Sequence, residues 1–183
     1  DKNKIPVLRD EGFHKQRLKF DEYGNPTEAV LLGVDGEFVT SKSGQYHRAR
    51  WEYHPDGNQK RESYYGKDDK PVLHPEGYHS WTSQYDERGN LVEGAHFDVD
   101  GKAVITNGGF YKVKFTYDER DDERGDKITT SMVFGVEGTP ILDDGGTHQT
   151  TLQYDARGNL IEVAYFGLTG NRVVNQDAGY HRS

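Results

Sequence analysis

One corner, repeated along the chain, constrains the fold more than any other feature. It reads Phe20-Asp21-Glu22-Tyr23-Gly24-Asn25, Tyr53-His54-Pro55-Asp56-Gly57-Asn58, Tyr85-Asp86-Glu87-Arg88-Gly89-Asn90 and Tyr154-Asp155-Ala156-Arg157-Gly158-Asn159. A further copy begins Tyr117-Asp118 and reaches Gly125-Asp126 only through the insertion DERDDERGD. The period is 32 or 33 residues, stretched to 37 by that insertion. A period in this range marks an array, in which each unit buries its apolar surface against its neighbours.

Two more motifs keep step with the first. One is GVDG at Gly33, GKDD at Gly66, DVDG at Asp98, GVEG at Gly135 and GLTG at Gly167. The other is an aromatic residue before histidine: Phe13-His14, Tyr46-His47, Tyr78-His79 and Tyr180-His181. Asp-x-x-Gly between strands is a type I turn followed by a glycine in the left-handed region, the three-residue hairpin loop with a bulge. The aspartate caps the turn, and glycine takes positive φ without a Cβ clash. Pro55 fits the second turn position, where φ near −65° is wanted.

The expected architecture is therefore all-β: a tandem array of antiparallel β-hairpins, elongated or solenoid-like, with a five-bladed propeller as the alternative. The units run approximately over residues 1–33, 34–66, 67–98, 99–135 and 136–167, with a partial unit at 168–183. Three reversals per unit would flip successive hairpins, so the short segments near Val72 and Val104 are expected to cross over without reversing. Strict alternation from the turn places Leu18 opposite Glu28 and Ser83 opposite Glu93. It makes one face of each hairpin the packed face and leaves Lys15, Arg17, Lys19, Arg48, Arg50, Lys112 and Lys114 facing water.

Composition narrows the function. Hydrophobic residues are 32%, charged residues 30% and mean hydropathy is −0.96, yet 12 Tyr, 8 Phe and 2 Trp supply large buried areas. A net charge of −8 argues against general nucleic-acid binding. No apolar run is long enough to span a membrane as a helix. The absence of cysteine removes disulfides and thiolate chemistry. The composition suits a bacterial periplasmic, cell-surface or secreted protein. A start at Asp1 suits a processed form or a piece of a longer chain.

At Tyr85–Asn90 and Tyr154–Asn159, and more loosely at Phe20–Asn25, the chain resembles the YD repeats of Rhs-type shell proteins. The stretches FDVDGKAV and YYGKDDKPV are similar to glucan- and choline-binding repeats of bacterial surface proteins, without their Trp-rich pockets. Both resemblances imply an all-β repeat scaffold.

Candidate chemistry is sparse. His14, His47, His79, His148 and His181 share one column and read as structural histidines bonded to backbone carbonyls, since Tyr111 replaces them in one unit. Glu28, Arg61, Glu93 and Glu162 share another, and are expected to pair across the stack with Arg61 between Glu28 and Glu93. Asp68, Asp69, Asp98 and Asp100 read as turn formers rather than a calcium loop. The binding candidates are Tyr64, His96 and Tyr165, recurring on the outer side of the second strand, and the cationic set Lys15, Arg17, Arg48, Arg50, Lys112 and Lys114. The three outer residues either line a groove or lie beneath the short segments. No nucleotide, metal-protease or nucleophile-elbow motif occurs, so no catalytic residue, metal or cofactor is expected. The function expected is a non-enzymatic scaffold that binds protein or serves as a subunit of a larger assembly; the alternative is a carbohydrate- or cell-wall-binding module.

Overall fold

The computed structural model describes residues 10–118 and 127–176. Pro6-Val7-Leu8, the insertion after Asp118 and the closing segment with His181 lie outside the described residues. Among the described residues ten strands form: β1 (Lys15–Phe20), β2 (Pro26–Leu32), β3 (Arg48–Tyr53), β4 (Gln59–Tyr65), β5 (Ser80–Tyr85), β6 (Leu91–Phe97), β7 (Lys112–Tyr117), β8 (Ile128–Phe134), β9 (Gln149–Tyr154) and β10 (Leu160–Phe166). They lie in one antiparallel sheet in chain order, not closed into a barrel. The five-bladed alternative is thereby set aside, because separate blades would break the pairing of β2 with β3 and of β8 with β9. No described helix is long and apolar enough to cross a membrane. The chain divides into two compact units, residues 1–82 with 97–102 and residues 83–96 with 103–183.

The corners form as their chemistry dictates. Asp86 donates its backbone N–H to the Asn90 carbonyl at 2.9 Å, and Gly89 donates back to the Asp86 carbonyl at 3.0 Å, with Gly89 at φ 85°. The Asp86 carboxylate then accepts the backbone N–H groups of Arg88 and Asn90 on Oδ1, and the Asn90 side-chain amide on Oδ2. Asp21 with Asn25 and Asp155 with Asn159 repeat the arrangement. The Gly-Asn ending is therefore a chemical requirement: glycine turns the chain and asparagine closes the aspartate's second oxygen.

After each second strand a short wedge folds back and then crosses over. Gly33 donates to the Glu37 carbonyl, Phe38 bridges Leu32, and Val39 donates to the Leu31 carbonyl at 3.2 Å. Val72, Val104 and Val173 repeat that bond, to the Tyr64, His96 and Tyr165 carbonyls. The next long strand runs antiparallel to the one just left, so β3 keeps the direction of β1. The expected crossover is what the chain does.

Register departs from strict alternation at one recurring place. Phe20 faces Pro26 as expected, but Lys19 then faces Glu28 and Leu18 faces Ala29. The same slip follows Tyr53–Gln59, Tyr117–Ile128 and Tyr154–Leu160. A bulge thus absorbs one extra residue (Thr27, Lys60, Thr129, Ile161) near the start of each of these second strands. Its effect is large, because a slip of one residue exchanges the faces. Glu28 moves onto the face of Lys15, Arg17 and Lys19, and away from Leu18.

Burial follows position along the strand more than face. Glu28, Ala29, Val30, Leu31 and Leu32 are all buried in β2, although they alternate in direction. Buried residues gather at the histidine end, where the wedges pack: Ala49, Ser63, Tyr64, Ala95, His96, Val113 and Val133. The turn end is open. Leu18 and Phe20, placed on a packed face by alternation, are exposed on β1.

Candidate functional site

The histidine column locks the wedges. His47 sits between hairpins: its N–H bonds the Tyr65 carbonyl and its carbonyl accepts the Leu31 N–H. Its Nδ1 lies 3.0 Å from the Val39 carbonyl, which assigns the proton to that nitrogen. His79 and His148 make the same contact with Val72 and Ile141. His47 is fully buried against the Phe38 ring, with centroids 4.4 Å apart. Burial holds the His79 imidazole below its ordinary pKa, outweighing the bond to Val72. These histidines fasten the wedges to the hairpins through their Nδ1 contacts.

Tyr64 and His96 are not exposed, contrary to their expected place on an outer surface. Each is 7% accessible, because the wedge carrying Val72 or Val104 bonds directly to its backbone. Tyr64 centres a ring cluster with Tyr46, His74 and Tyr78, at centroid distances of 4.8, 5.2 and 6.0 Å. Burial drives its phenol pKa far above the usual value. His96 bonds the Tyr111 carbonyl through Nδ1 at 3.1 Å and packs on Phe110; burial lowers its pKa. Tyr165 is half-buried, with its carbonyl taken by Val173. Tyr64 and His96 thus lie beneath the short segments.

The cationic set and the carboxylate column, expected on opposite faces, meet on one face because of the bulge. Glu28 accepts from Lys19 at 2.8 Å and Arg50 at 3.2 Å, with Arg48 at 3.7 Å. Desolvation raises the Glu28 pKa, but these cations outweigh it and hold the carboxyl below its usual range. Asp69 bridges Arg48 at 2.6 Å and Arg50 at 3.1 Å from the other side. Arg50 also lies 4.5 Å over the Tyr65 ring. Glu93 repeats the pattern with Lys112 at 2.9 Å and Lys114 at 3.3 Å. Arg61 does not bridge Glu28 and Glu93; it donates to the Ser80 hydroxyl at 2.9 Å. Lys15 and Arg17 lie on β1, exposed along its whole length.

Two features escaped sequence reasoning. Asp69 has φ 62°, where the other four wedge turns carry glycine. Its left-handed backbone places the carboxylate between two arginines, and only the missing Gly in GKDD hinted at this. A cleft of about 580 Å³ also opens at the turn end between the first two hairpins, lined by Asp21, Tyr23, Thr27, Trp51, Tyr53 and Asp56 among others. Its counterpart of about 510 Å³ uses Asp86, Arg88, Val92, Phe115 and Tyr117. Among the described residues no group of three or more His, Asp or Glu side chains is placed to hold a metal ion.

No protein-family model matches this chain, and no curated protein matches it. Solved structures do: those titled "Crystal Structure of TcdB2-TccC3" and "Crystal Structure of TcdB2-TccC3-TEV" each align with a TM-score of 0.44 and 16% identity, over 86% of this chain. The chain spans about 8% of the length of those proteins.

Proposed function

We propose that this chain is a non-enzymatic scaffold that mediates protein–protein contact as a structural part of a larger assembly. One observation carries the reading: successive hairpins join through a recurring set of fasteners. A Glu or Arg of the second strand reaches the first strand of the next hairpin, a histidine locks the wedge, and a tyrosine hydroxyl ties the turn ends together. Such a junction can be extended without redesign, and the product is a long surface of repeated elements. The resemblance to YD repeats points the same way. Cross-linking followed by mass spectrometry of the protein from its native source tests it. Defined cross-links between the strand faces and a second protein are expected; a protein that stays free of any partner overturns the reading.

A carbohydrate-binding role has one specific observation in its favour, the open cleft with Tyr23, Trp51 and Tyr53 at its walls. Aromatic faces beside hydrogen-bonding carboxylates suit a sugar ring. Saturable polysaccharide binding that Trp51→Ala abolishes would favour this role over the scaffold.

A further inference from the structure

We infer that Glu62, flanked by Trp51 and Trp81, binds an arginine side chain of the partner protein. The inference rests on the scaffold reading and names how that partner is held. Glu62 lies opposite Trp51 on β3 and opposite Trp81 on β5, so the chain's two tryptophans bracket one carboxylate. Residues paired across antiparallel strands carry their side chains on one face, about 5 Å apart at Cβ. The fold itself does not require a charge here. The same position in the other hairpins holds Ala29, Gly94, Ser131 and Val163. Trp81 likewise stands where other hairpins carry Ala49, Val113 and Thr150.

Alternation along β4 turns Glu62 away from Arg61 and from the cations around Glu28. Among the described residues it forms no ion pair. Its surroundings are phenols instead. The Tyr64 hydroxyl bonds the carboxylate. Burial raises the pKa values of Tyr46, Tyr53, Tyr64 and Tyr78, and the Glu62 charge adds to that rise at each. Trp51, Glu62 and Trp81 are all half-buried, and Trp51 also walls the open cleft of about 580 Å³, which gives a ligand a way in. The opposite face shows what such a group of residues holds. There Arg50 lies 4.5 Å over the Tyr65 ring and bonds Glu28 at 3.2 Å. A guanidinium stacks flat on an aromatic ring while its edge forks a carboxylate, and tryptophan is the best ring for this. At Glu62 the rings and the carboxylate are in place, and the partner supplies the cation.

Tryptophan emission reports the site directly, because Trp51 and Trp81 are the two tryptophans of the chain. A tetra-arginine peptide titrated into the 183-residue chain is expected to change that emission saturably, less so at high salt. Glu62→Gln keeps the size of the side chain and should weaken binding about tenfold or more. The exposed Glu137→Gln removes the same net charge and should leave binding unchanged, which separates the site from general attraction to a chain of net charge −8. Tetra-lysine should bind more weakly, since an ammonium neither stacks flat nor forks a carboxylate. Unchanged far-UV circular dichroism controls for folding. Trp81→Phe keeps Trp51 as the reporter and should also weaken binding, so the test stands even if Glu62→Gln disturbs the fold. No saturable binding by the wild type, equal loss in the two glutamate variants, or tetra-lysine binding as tightly as tetra-arginine overturns the inference. In that event, cross-links to a second protein leave the scaffold reading standing. Peptide binding without any such cross-link keeps the site and removes the scaffold.

Discussion

The hydroxyl of Tyr53, on β3, donates to the backbone carbonyl of Pro26 at the start of β2, at 2.8 Å. Tyr117 reaches Leu91 at 2.8 Å and Tyr154 reaches Ile128 at 3.1 Å in the same way. Each bond ties one hairpin to the hairpin before it, near the turn end. The tyrosine of the repeated corner thus does a different job from the aspartate beside it. The aspartate shapes its own turn, and the tyrosine fastens neighbours. Phe20, on β1, stands in the tyrosine column without a hydroxyl.

Removing that hydroxyl isolates the fastener. Tyr53→Phe and Tyr117→Phe keep the ring and leave a carbonyl without its donor, so each should destabilise the fold by about 1 kcal/mol. Urea unfolding followed by tyrosine and tryptophan fluorescence measures this. Phe20→Tyr, with no described hairpin on its outer side, should change stability by less than either.

Asp69→Gly separates backbone strain from ion pairing. A non-glycine residue in the left-handed region costs roughly 1–2 kcal/mol. The exposed bridges to Arg48 and Arg50 contribute roughly 0–1 kcal/mol in return. The substitution is therefore expected to be neutral or stabilising by about 1 kcal/mol. A clear loss of thermal stability would show that the arginines depend on Asp69 more than their exposure implies.

Glu28→Gln removes a buried charge that three cations surround. The Arg48 side chain, 17% exposed, then relies on Asp69 alone. A destabilisation of about 1–3 kcal/mol is expected, below that of a fully buried pair because Lys19 remains in water. It should shrink in high salt less than an exposed pair would, since the carboxylate is screened by protein.

Acid should weaken the fold in two stages. His79 and His96 have pKa values lowered by burial, so the folded chain resists protons that the unfolded chain accepts. Above pH about 6.5 both states are neutral at these residues, and stability is level; below it the unfolded state gains protons and stability falls. The second stage belongs to the turn carboxylates. For Asp155, bonds from Asn159 come first among the causes; for Asp86, desolvation is outweighed by Asn90 and Arg88, and both pKa values are lowered. Their contribution is present above the ordinary carboxylate pKa and is lost as pH falls through their lowered values. Denaturation midpoints measured from pH 8 to pH 3 should show both descents, and His96→Gln should flatten the first.

How far the fold was legible depended on the range of the interactions involved. Asp-x-x-Gly-Asn dictates its own turn, because the carboxylate, the glycine φ and the asparagine amide all act within five residues. From that corner came the hairpins, their number and order, and the histidines bonded to backbone carbonyls. Nothing local announces the bulge at Thr27 or Lys60, because the extra residue is an ordinary strand residue. It is accommodated by twist shared with the neighbouring strand. From that slip follow the meeting of Glu28 with Lys19 and the sharing of one face by charges expected on two. The burial of Tyr64 and His96 had a different origin, the return of a wedge to a strand end.

The amino-acid order alone determined where the chain turns, since turn chemistry is complete within each corner. Tertiary structure decided which side chains share a face and which leave water. Those outcomes depend on how a strand slips against its neighbour and on which segment comes back to cover its end, and neither is a property of any single stretch of sequence.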